Sequence, residues 1–203
     1  MFLGLKYIKD LIMKSICVYL GASYGNDSMF NEAVILLGKE IADSGLTLVY
    51  GGSSLGLMGV LANTVKDHGG KVIGVITQQL IEKELPLTNL DELHIVDSMQ
   101  ERKQMMQKLA DVFVVMPGGL GTLEEAFETW NAIKIGVIDK PIGFVNIRGF
   151  FDELFAFTKT CEKNGFLSEK HQHIPKINPE IKLLLEELRS TINETEVLSS
   201  SPM

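Results

Sequence analysis

Short apolar runs alternate with longer amphipathic segments through the first three quarters of the chain. The apolar runs are rich in Val, Ile and Leu, and they predict strands at 16–20, 46–50, 71–76, 93–96, 111–116 and 141–147. The amphipathic segments predict helices at 28–43, 56–68, 98–110, 122–135, 150–163 and 179–189. Residues 77–90 show no clear period. Apolar strands separated by helices are typical of a parallel sheet that is covered on both faces.

The predicted fold is therefore α/β, with a single doubly wound, Rossmann-like parallel sheet and helices on both faces at residues 15–190. Residues 1–14 are interpreted as an N-terminal extension, and Met13 is an equally natural start. Charged residues interrupt the extension too often for a signal core or a membrane span. Residues 191–203 are polar and are expected to form a flexible tail.

Composition narrows the function classes. The chain has 203 residues, of which 45% are hydrophobic and 22% charged, as in an ordinary globular protein. A net charge of -7 argues against a nucleic acid polymer or an anionic membrane as partner, although a small anionic ligand remains compatible with it. The two cysteines, Cys17 and Cys161, suggest neither a disulfide framework nor a zinc site, so a reducing cytoplasm is the expected location.

Glycines follow several of the predicted strands, at the sheet edge where ligands bind in such folds. They stand at 21, at 51–52 and at 118, 119 and 121. The segment 118–121 joins a strand to a helix, where backbone N–H groups can bind a phosphate. The alternative is a tight turn in which Thr122 and Glu125 form a capping box. Three glycines in four residues exceed what a turn requires and favour phosphate.

Two standard phosphate motifs are absent. A dinucleotide fingerprint would need a glycine where Glu124 stands. The run 51–56 has the spacing of a P-loop, but Leu57 and Met58 replace its Lys and Ser or Thr. Neither an NAD enzyme nor an NTPase is supported. A single phosphate beside carboxylates indicates a mononucleotide whose sugar or glycosidic bond reacts.

A second informative segment spans residues 98–106. Ser98 and Glu101 predict a capping box that starts a helix. Arg102 falls on the apolar face of this helix, between Met99 and Met106, whereas Lys103, Gln104 and Gln107 are expected to point elsewhere. An arginine in such a place needs a carboxylate or a phosphate. A structural ion pair or a snorkelling arginine is the alternative to a functional role.

Five segments of the chain together resemble one known family. PGGLGTLEE matches a PGGxGTxxE motif, and MQERKQMM is similar to an M-x-x-R-K helix upstream of it. Three earlier segments also match the family in order and spacing, namely ICVYLGAS, LTLVYGGSSLGLMGVLAN and GGKVIGVI. The resemblance covers residues 15–165. The family is that of the LONELY GUY (LOG) cytokinin riboside 5′-monophosphate phosphoribohydrolases. Nothing in the sequence resembles a pyridoxal phosphate site, although some relatives carry a lysine decarboxylase label.

The resemblance implies an N-glycosidase. Its substrate would be adenosine 5′-monophosphate or an N6-modified riboside 5′-monophosphate, and its products the free base and ribose 5-phosphate, with no cofactor and no metal. Arg102 and Glu125 fall on the catalytic pair of the family. The implied substrate-binding residues are Glu84, Lys103, Gly118, Gly119, Leu120, Gly121, Thr122, Leu123, Glu124 and Asn131. The resemblance also implies a homodimer, for which the Phe-rich stretch 150–157 is either core or interface.

Chemistry agrees with these assignments. Cleavage of a ribosyl bond passes through an oxocarbenium-like transition state, which Glu125 could stabilise or supply with an activated water. Arg102 would keep that carboxylate ionised or orient the nucleotide. Glu124 is the candidate for a ribose contact. The amides of residues 118–122 would anchor the phosphate.

Two departures from the family pattern affect which nucleotide base the protein would prefer. Asn131 stands where a substrate-contacting threonine is usual, and Lys134 replaces a glutamine. Preference for a prenylated base over adenine is therefore open. A broad purine nucleotide nucleosidase for salvage is one alternative function. A non-catalytic carrier of a phosphorylated pterin, similar to molybdenum cofactor carriers, is another, but a carrier gains nothing from the Arg102 and Glu125 pair.

Overall fold

The strands form one sheet of seven, in which every neighbouring pair is parallel. The computed structural model describes residues 13–84 and 86–199, except for the side chains of 82–84 and 193–199. In chain order the strands are β1 (Ser15–Tyr19), β2 (Thr47–Tyr50), β3 (Lys71–Thr77), β4 (Glu92–Val96), β5 (Val112–Val115), β6 (Ile142–Val145) and β7 (Lys176–Asn178). The predicted doubly wound α/β fold is confirmed.

Helices cover both faces of this sheet. They are α1 (Ser28–Asp43), α2 (Gly56–Asp67), α3 (Gln78–Glu84), α4 (Met99–Leu109), α5 (Leu120–Lys134), α6 (Asp152–Lys163), α7 (Glu169–Gln172) and α8 (Ile181–Ser199). Side chains of α1, α2 and α8 pack in one core, and side chains of α4, α5 and α6 pack in the other. No helix within the described ranges carries an apolar stretch that is long enough to cross a bilayer.

Strand β1 shows how the sequence builds two cores from one sheet. Ile16 and Val18 lie in the core with α1 and α2, whereas Cys17 and Tyr19 lie in the core with α4 and α5. All four side chains are buried. Successive side chains of a strand point to opposite faces, so a strand between two helical layers must be apolar throughout.

The order of the strands places a switch point beside β1. The sheet reads β4-β3-β2-β1-β5-β6-β7, so the chain builds outward in one direction from β1 to β4 and in the other from β5 to β7. The two strands beside the switch point, β1 and β5, are hydrogen-bonded neighbours. Their connections leave in opposite directions, which opens a crevice at their carboxyl ends.

Several elements differ from the prediction. Helix α3 occupies part of the segment 77–90, which showed no period, because seven residues are too few to display one. The four-residue helix α7 and the three-residue strand β7 were missed for the same reason. Helix α8 continues to Ser199 rather than ending at 189, and its apolar face extends to the buried Ile192. The flexibility of residues 191–203 stays a prediction, and residues 1–12 of the predicted extension lie outside the described residues.

Candidate active site

A cavity of about 560 Å³ lies at the carboxyl edge of the sheet, at the switch point between β1 and β5. The loop after β1 lines one side of it, and the turn between β5 and α5 lines another. Arg102 from α4 and Glu125 from α5 both reach its wall. Ligand sites of small molecules commonly have this size and this place in open α/β sheets.

Helix α4 begins where the sequence predicted, because Ser98 caps it. The Ser98 hydroxyl accepts a hydrogen bond from the Glu101 N–H at 3.2 Å. The Glu101 carboxylate accepts from the N–H of Asp97 at 3.0 Å, one residue before the cap. In a capping box the carboxylate accepts from the N–H of the cap residue itself, here Ser98. Only the hydrogen bond to the Ser98 hydroxyl is therefore as predicted. The cap fixes the first turn of α4, and Arg102 follows it.

Arg102 is 3% exposed, and its guanidinium joins three elements. Nη1 donates to Glu125 Oε1 at 3.0 Å. Nε donates to the carbonyl of Val75 at 2.9 Å, and Nη2 donates to the carbonyl of Gly51 at 3.1 Å. A buried guanidinium without such acceptors would carry a large desolvation cost. The structure thus pairs Arg102 with a carboxylate, which is one of the two partners that its position predicted.

Gly51 makes room for this guanidinium. A Cβ atom at position 51 would overlap Nη2 of Arg102. Gly51 follows β2 directly and does not line the cavity. Its place at the sheet edge suggested a ligand contact, but the observed role is to let the arginine approach the backbone of β2.

Glu125 is the carboxylate that faces Arg102, and it is 5% exposed. Burial raises the pKa of its carboxyl group, and the Arg102 guanidinium opposes this rise without cancelling it. A buried carboxyl with a raised pKa at the wall of a cavity is a candidate for acid–base chemistry.

The turn between β5 and α5 carries the candidate anion site. Helix α5 begins at Leu120 with Gly119 as its N-cap, and its first helical bond runs from the Leu123 N–H to the Gly119 carbonyl at 3.1 Å. The predicted capping box of Thr122 and Glu125 is therefore wrong, because both residues lie inside the helix. No described side chain caps this end. The N–H groups of residues 119–122 have no acceptor within the helix, so they are available to an anion.

Gly118 lets this turn close against the loop after β1. A Cβ atom at 118 would overlap Oγ1 of Thr122, and the Gly21 N–H donates to the carbonyl of Pro117 at 3.2 Å. Gly118, Gly119, Gly121, Thr122 and Glu124 all line the cavity. Of the other predicted positions in this turn, Leu120 is 86% exposed, and neither Leu120 nor Leu123 lines the cavity. Any contribution of these two residues to a ligand is made by their backbone.

Lys103 departs from its prediction. It was expected to point away from the buried face, but its side chain is only 8% exposed. The ammonium forms ion pairs with Glu124 at 2.7 Å and with Glu128 at 2.5 Å. The hydrogen bond that Lys103 donates to Glu124 is the largest cause of a raised pKa of Lys103, followed by the one that it donates to Glu128. Sequence spacing did not show this, because both partners lie on another helix.

One further predicted site residue, Asn131, does not line the cavity. Asn131 is exposed two turns beyond Glu124 and, with Lys134, lines a separate apolar depression of about 230 Å³. The side chain of Glu84 lies outside the described residues, although its backbone ends α3. The substrate contacts that the resemblance implies for these two residues stay predictions.

Sequence reasoning missed an aromatic wall of the cavity. Tyr24, Phe30 and Phe150 line it, and the rings of Phe30 and Phe150 meet edge to face with centroids 5.6 Å apart. The turn before Phe150 has positive φ at both Arg148 and Gly149. Phe150 belongs to the Phe-rich stretch, for which the sequence predicted a place in the core or in an interface. Its place in the cavity wall was not predicted. The glycine before it was the one signal of a turn there.

The fold and this site define an α/β protein with a ligand cavity at the switch point of its sheet and a buried arginine–glutamate pair in the cavity wall. A family model described as "Possible lysine decarboxylase" matches residues 58–188. Cytokinin riboside 5′-monophosphate phosphoribohydrolase LOG of Oryza sativa subsp. japonica is 38% identical over 91% of this chain and 76% of its own length. The LOG1 enzyme of Arabidopsis thaliana is 37% identical over 92% of this chain and 88% of its own length. The chain belongs to this family, the LOG family of phosphoribohydrolases.

Solved structures extend the likeness of the fold. The molybdenum cofactor carrier protein of Chlamydomonas reinhardtii covers 90% of this chain with a TM-score of 0.69 at 19% identity. The molybdenum cofactor binding protein of Rippkaea orientalis covers 90% with a TM-score of 0.67 at 21% identity. At such identities the likeness concerns the fold alone.

Proposed function

We propose that this chain hydrolyses the N-glycosidic bond of a nucleoside 5′-monophosphate, namely AMP or an N6-modified (cytokinin) riboside 5′-monophosphate. The observation that carries the proposal is the buried ion pair of Arg102 and Glu125, which lies in the wall of a cavity that the helix N-terminus of α5 also lines. Membership of the LOG family supports it. One wall offers donors for a phosphate, and the pair offers acid–base chemistry.

The phosphate binds at the start of α5. The free N–H groups of residues 119–122 and the positive end of the helix dipole attract it. A helix that began at Thr122 would hold Glu124 and Glu125 in its first turn, where their charge opposes a bound anion. Because α5 begins at Leu120, both carboxylates lie in the second turn instead. Phosphate binding there supplies remote binding energy that positions the glycosidic bond.

Glu125 acts on the reacting bond. Its carboxylate takes a proton from a water molecule as the water oxygen bonds to the anomeric carbon. The bond from this carbon to the base nitrogen breaks, and its electron pair leaves with the base. The proton that Glu125 took from water passes to the base, directly or through solvent, which restores the carboxylate. Arg102 positions the carboxylate and favours its ionised form against the effect of burial. The products are the free base and ribose 5-phosphate.

The activity should fall on the acidic side at a higher pH than an ordinary glutamate would give. Glu125 works as a carboxylate, and burial raises its pKa, so protonation on lowering the pH begins above the usual value of about 4.3. We expect kcat/KM for AMP to decline through this raised pKa. A kcat/KM that stays constant down to the ordinary glutamate range would contradict the assignment. The profile is taken from kcat/KM because it reports groups of the free enzyme, the state in which burial raises the pKa of Glu125.

The substrate panel tests the proposal and assigns the base. Purified protein is incubated with AMP, with isopentenyladenosine monophosphate and with adenosine, and free bases are separated by chromatography. We expect base from the monophosphates and none from adenosine, because adenosine lacks the group that α5 binds. The ratio of kcat/KM for the two monophosphates distinguishes hormone activation from purine salvage. Failure of both monophosphates to release base contradicts the proposal.

We also propose that the protein is a homodimer, as the resemblance implies. An apolar surface around the depression beside Asn131 supports this, and its members include Phe127, Phe157 and Phe166, the last two 65% and 83% exposed. Contiguous exposed apolar surface is typical of protein–protein interaction sites. The Phe-rich stretch thus contributes Phe151 and Phe155 to the core and Phe157 to this surface.

A charge on the apolar surface should separate the subunits. We expect Phe157→Asp to shift the mass measured by light scattering from dimer to monomer, because an unpaired charge is costly in a closed interface. Leu36→Asp is the matched control, since Leu36 is an exposed leucine of α1 and 45% accessible. A monomeric wild-type protein, or a Phe157→Asp variant that stays dimeric, would contradict this surface as the interface.

A further inference from the structure

Lys103 is an implied nucleotide-binding residue, but its ammonium group is held in ion pairs within the protein. Its Nζ atom lies 2.7 Å from Glu124 Oε1 and 2.5 Å from Glu128 Oε2. Lys103 does not line the cavity, whereas Glu124 does and has a side chain that is 61% exposed. The lysine therefore lies behind the carboxylate as seen from the cavity.

Helix geometry explains how two adjacent cations serve different acceptors. Consecutive residues of a helix point about 100° apart, so Arg102 is directed at the sheet edge while Lys103 is directed at α5. Arg102 pairs with Glu125, and Lys103 pairs with Glu124. Two neighbouring cations of α4 thus hold two neighbouring carboxylates of α5.

The ammonium group has little capacity left for a ligand. It carries three N–H donors, and two of them serve Glu124 and Glu128. Glu124 and Glu128 are four residues apart on one helix face, where like charges repel. Removal of the ammonium would leave this repulsion uncompensated and would free the exposed Glu124 carboxylate to turn away from its present place.

We propose that Lys103 is a positioning residue, which holds the Glu124 carboxylate at the cavity wall as an acceptor for the ribose hydroxyls and does not itself contact the phosphate. This inference rests on the proposed function and adds to it a division of work between the two cations. Arg102 acts on the group at the reacting bond. Lys103 acts on the group that binds the sugar, and the backbone of α5 binds the phosphate.

A double-mutant cycle tests the inference. The variants are Lys103→Met, Glu124→Gln and the two combined, with Lys108→Met as control, since Lys108 is an exposed lysine of the same helix. Each single variant should raise KM for AMP about tenfold, the usual effect of losing a charge-assisted hydrogen bond. The double variant should be no worse than Glu124→Gln alone, because Lys103 acts only through Glu124. Additive effects would overturn the proposal.

Inhibition by inorganic phosphate separates positioning from direct contact. If Lys103 positions Glu124, Lys103→Met leaves the inhibition constant of phosphate unchanged and weakens inhibition by ribose 5-phosphate. A raised inhibition constant for phosphate would show that the ammonium contacts the anion, and would overturn the proposal. Lys103→Arg keeps the charge and should recover most of the lost affinity for AMP.

Two further outcomes keep the test decisive. If Lys103→Met does not fold, Glu124→Gln still tests the ribose contact, because it leaves Lys103 paired with Glu128, and an unchanged KM for AMP would overturn the proposal. The wild-type protein is assayed first on AMP. Absence of base release from it refutes the proposed function itself, whereas release by the wild type with additive variants refutes only the role of Lys103.

Discussion

Replacement of Glu125 by glutamine is expected to slow the release of base from AMP by orders of magnitude while the protein stays folded. The amide has nearly the shape of the carboxyl group, and its oxygen can still accept the hydrogen bond from Arg102 Nη1. In the wild-type protein the distance from Nη1 to Glu125 Oε1 is 3.0 Å. It cannot take a proton from water. Loss of a general base typically costs 10²- to 10⁴-fold, so we expect kcat to fall by roughly 10³-fold. The measurement is the initial rate of adenine formation.

The fold of this variant is checked by circular dichroism and thermal unfolding. Glu153→Gln serves as the matched control, because Glu153 is an exposed glutamate at the start of α6, outside the cavity. The control should retain the wild-type rate. A folded Glu125→Gln variant that keeps more than about a tenth of the wild-type kcat would show that Glu125 is not the general base.

Replacement of Arg102 by methionine should cost both activity and stability. The side chain is 3% exposed, and its loss leaves Glu125 and the carbonyls of Val75 and Gly51 without their donor. Breaking a buried pair from one side typically destabilises a protein by about 3–5 kcal/mol. The pKa of Glu125 rises further without the guanidinium, so that at any given pH a larger fraction of the carboxyl groups is protonated and inactive. We expect a lower denaturant midpoint and no measurable turnover.

A double variant separates the two effects. Arg102→Met together with Glu125→Gln leaves no buried charge at this place, so it should recover part of the stability that Arg102→Met loses. Its activity should remain absent. Turnover that returns together with stability would show that the pair is a structural ion pair and has no part in the chemistry, which is the alternative that helix spacing alone left open.

The contact between Arg102 and a carboxylate could be predicted because its cause is local. An arginine on the apolar face of a helix must find an acceptor, and the motif downstream places carboxylates at the start of another helix. The doubly wound sheet was predictable for a similar reason, since strands buried on both faces are continuously apolar, as residues 16–19 of β1 are.

The environment of Lys103 could not be predicted, because it depends on the distance between two helices. On a helical projection Lys103 lies off the apolar stripe, and only the packing of α4 against α5 brings it to Glu124 and Glu128. The start of α5 was misplaced because the Thr122 and Glu125 spacing matches a capping box, whereas the backbone turn at Gly119 carries no side-chain signal. Both errors concern details that tertiary contacts decide.

Phosphate-dependent cleavage of the glycosidic bond is tested by following AMP and adenosine side by side with the purified protein, using proton and phosphorus NMR. We expect equimolar adenine and ribose 5-phosphate from AMP, with no adenine from adenosine, because the phosphate must bind at the start of α5 before Glu125 can act. An intact AMP signal, or equal release of adenine from both compounds, would contradict this mechanism.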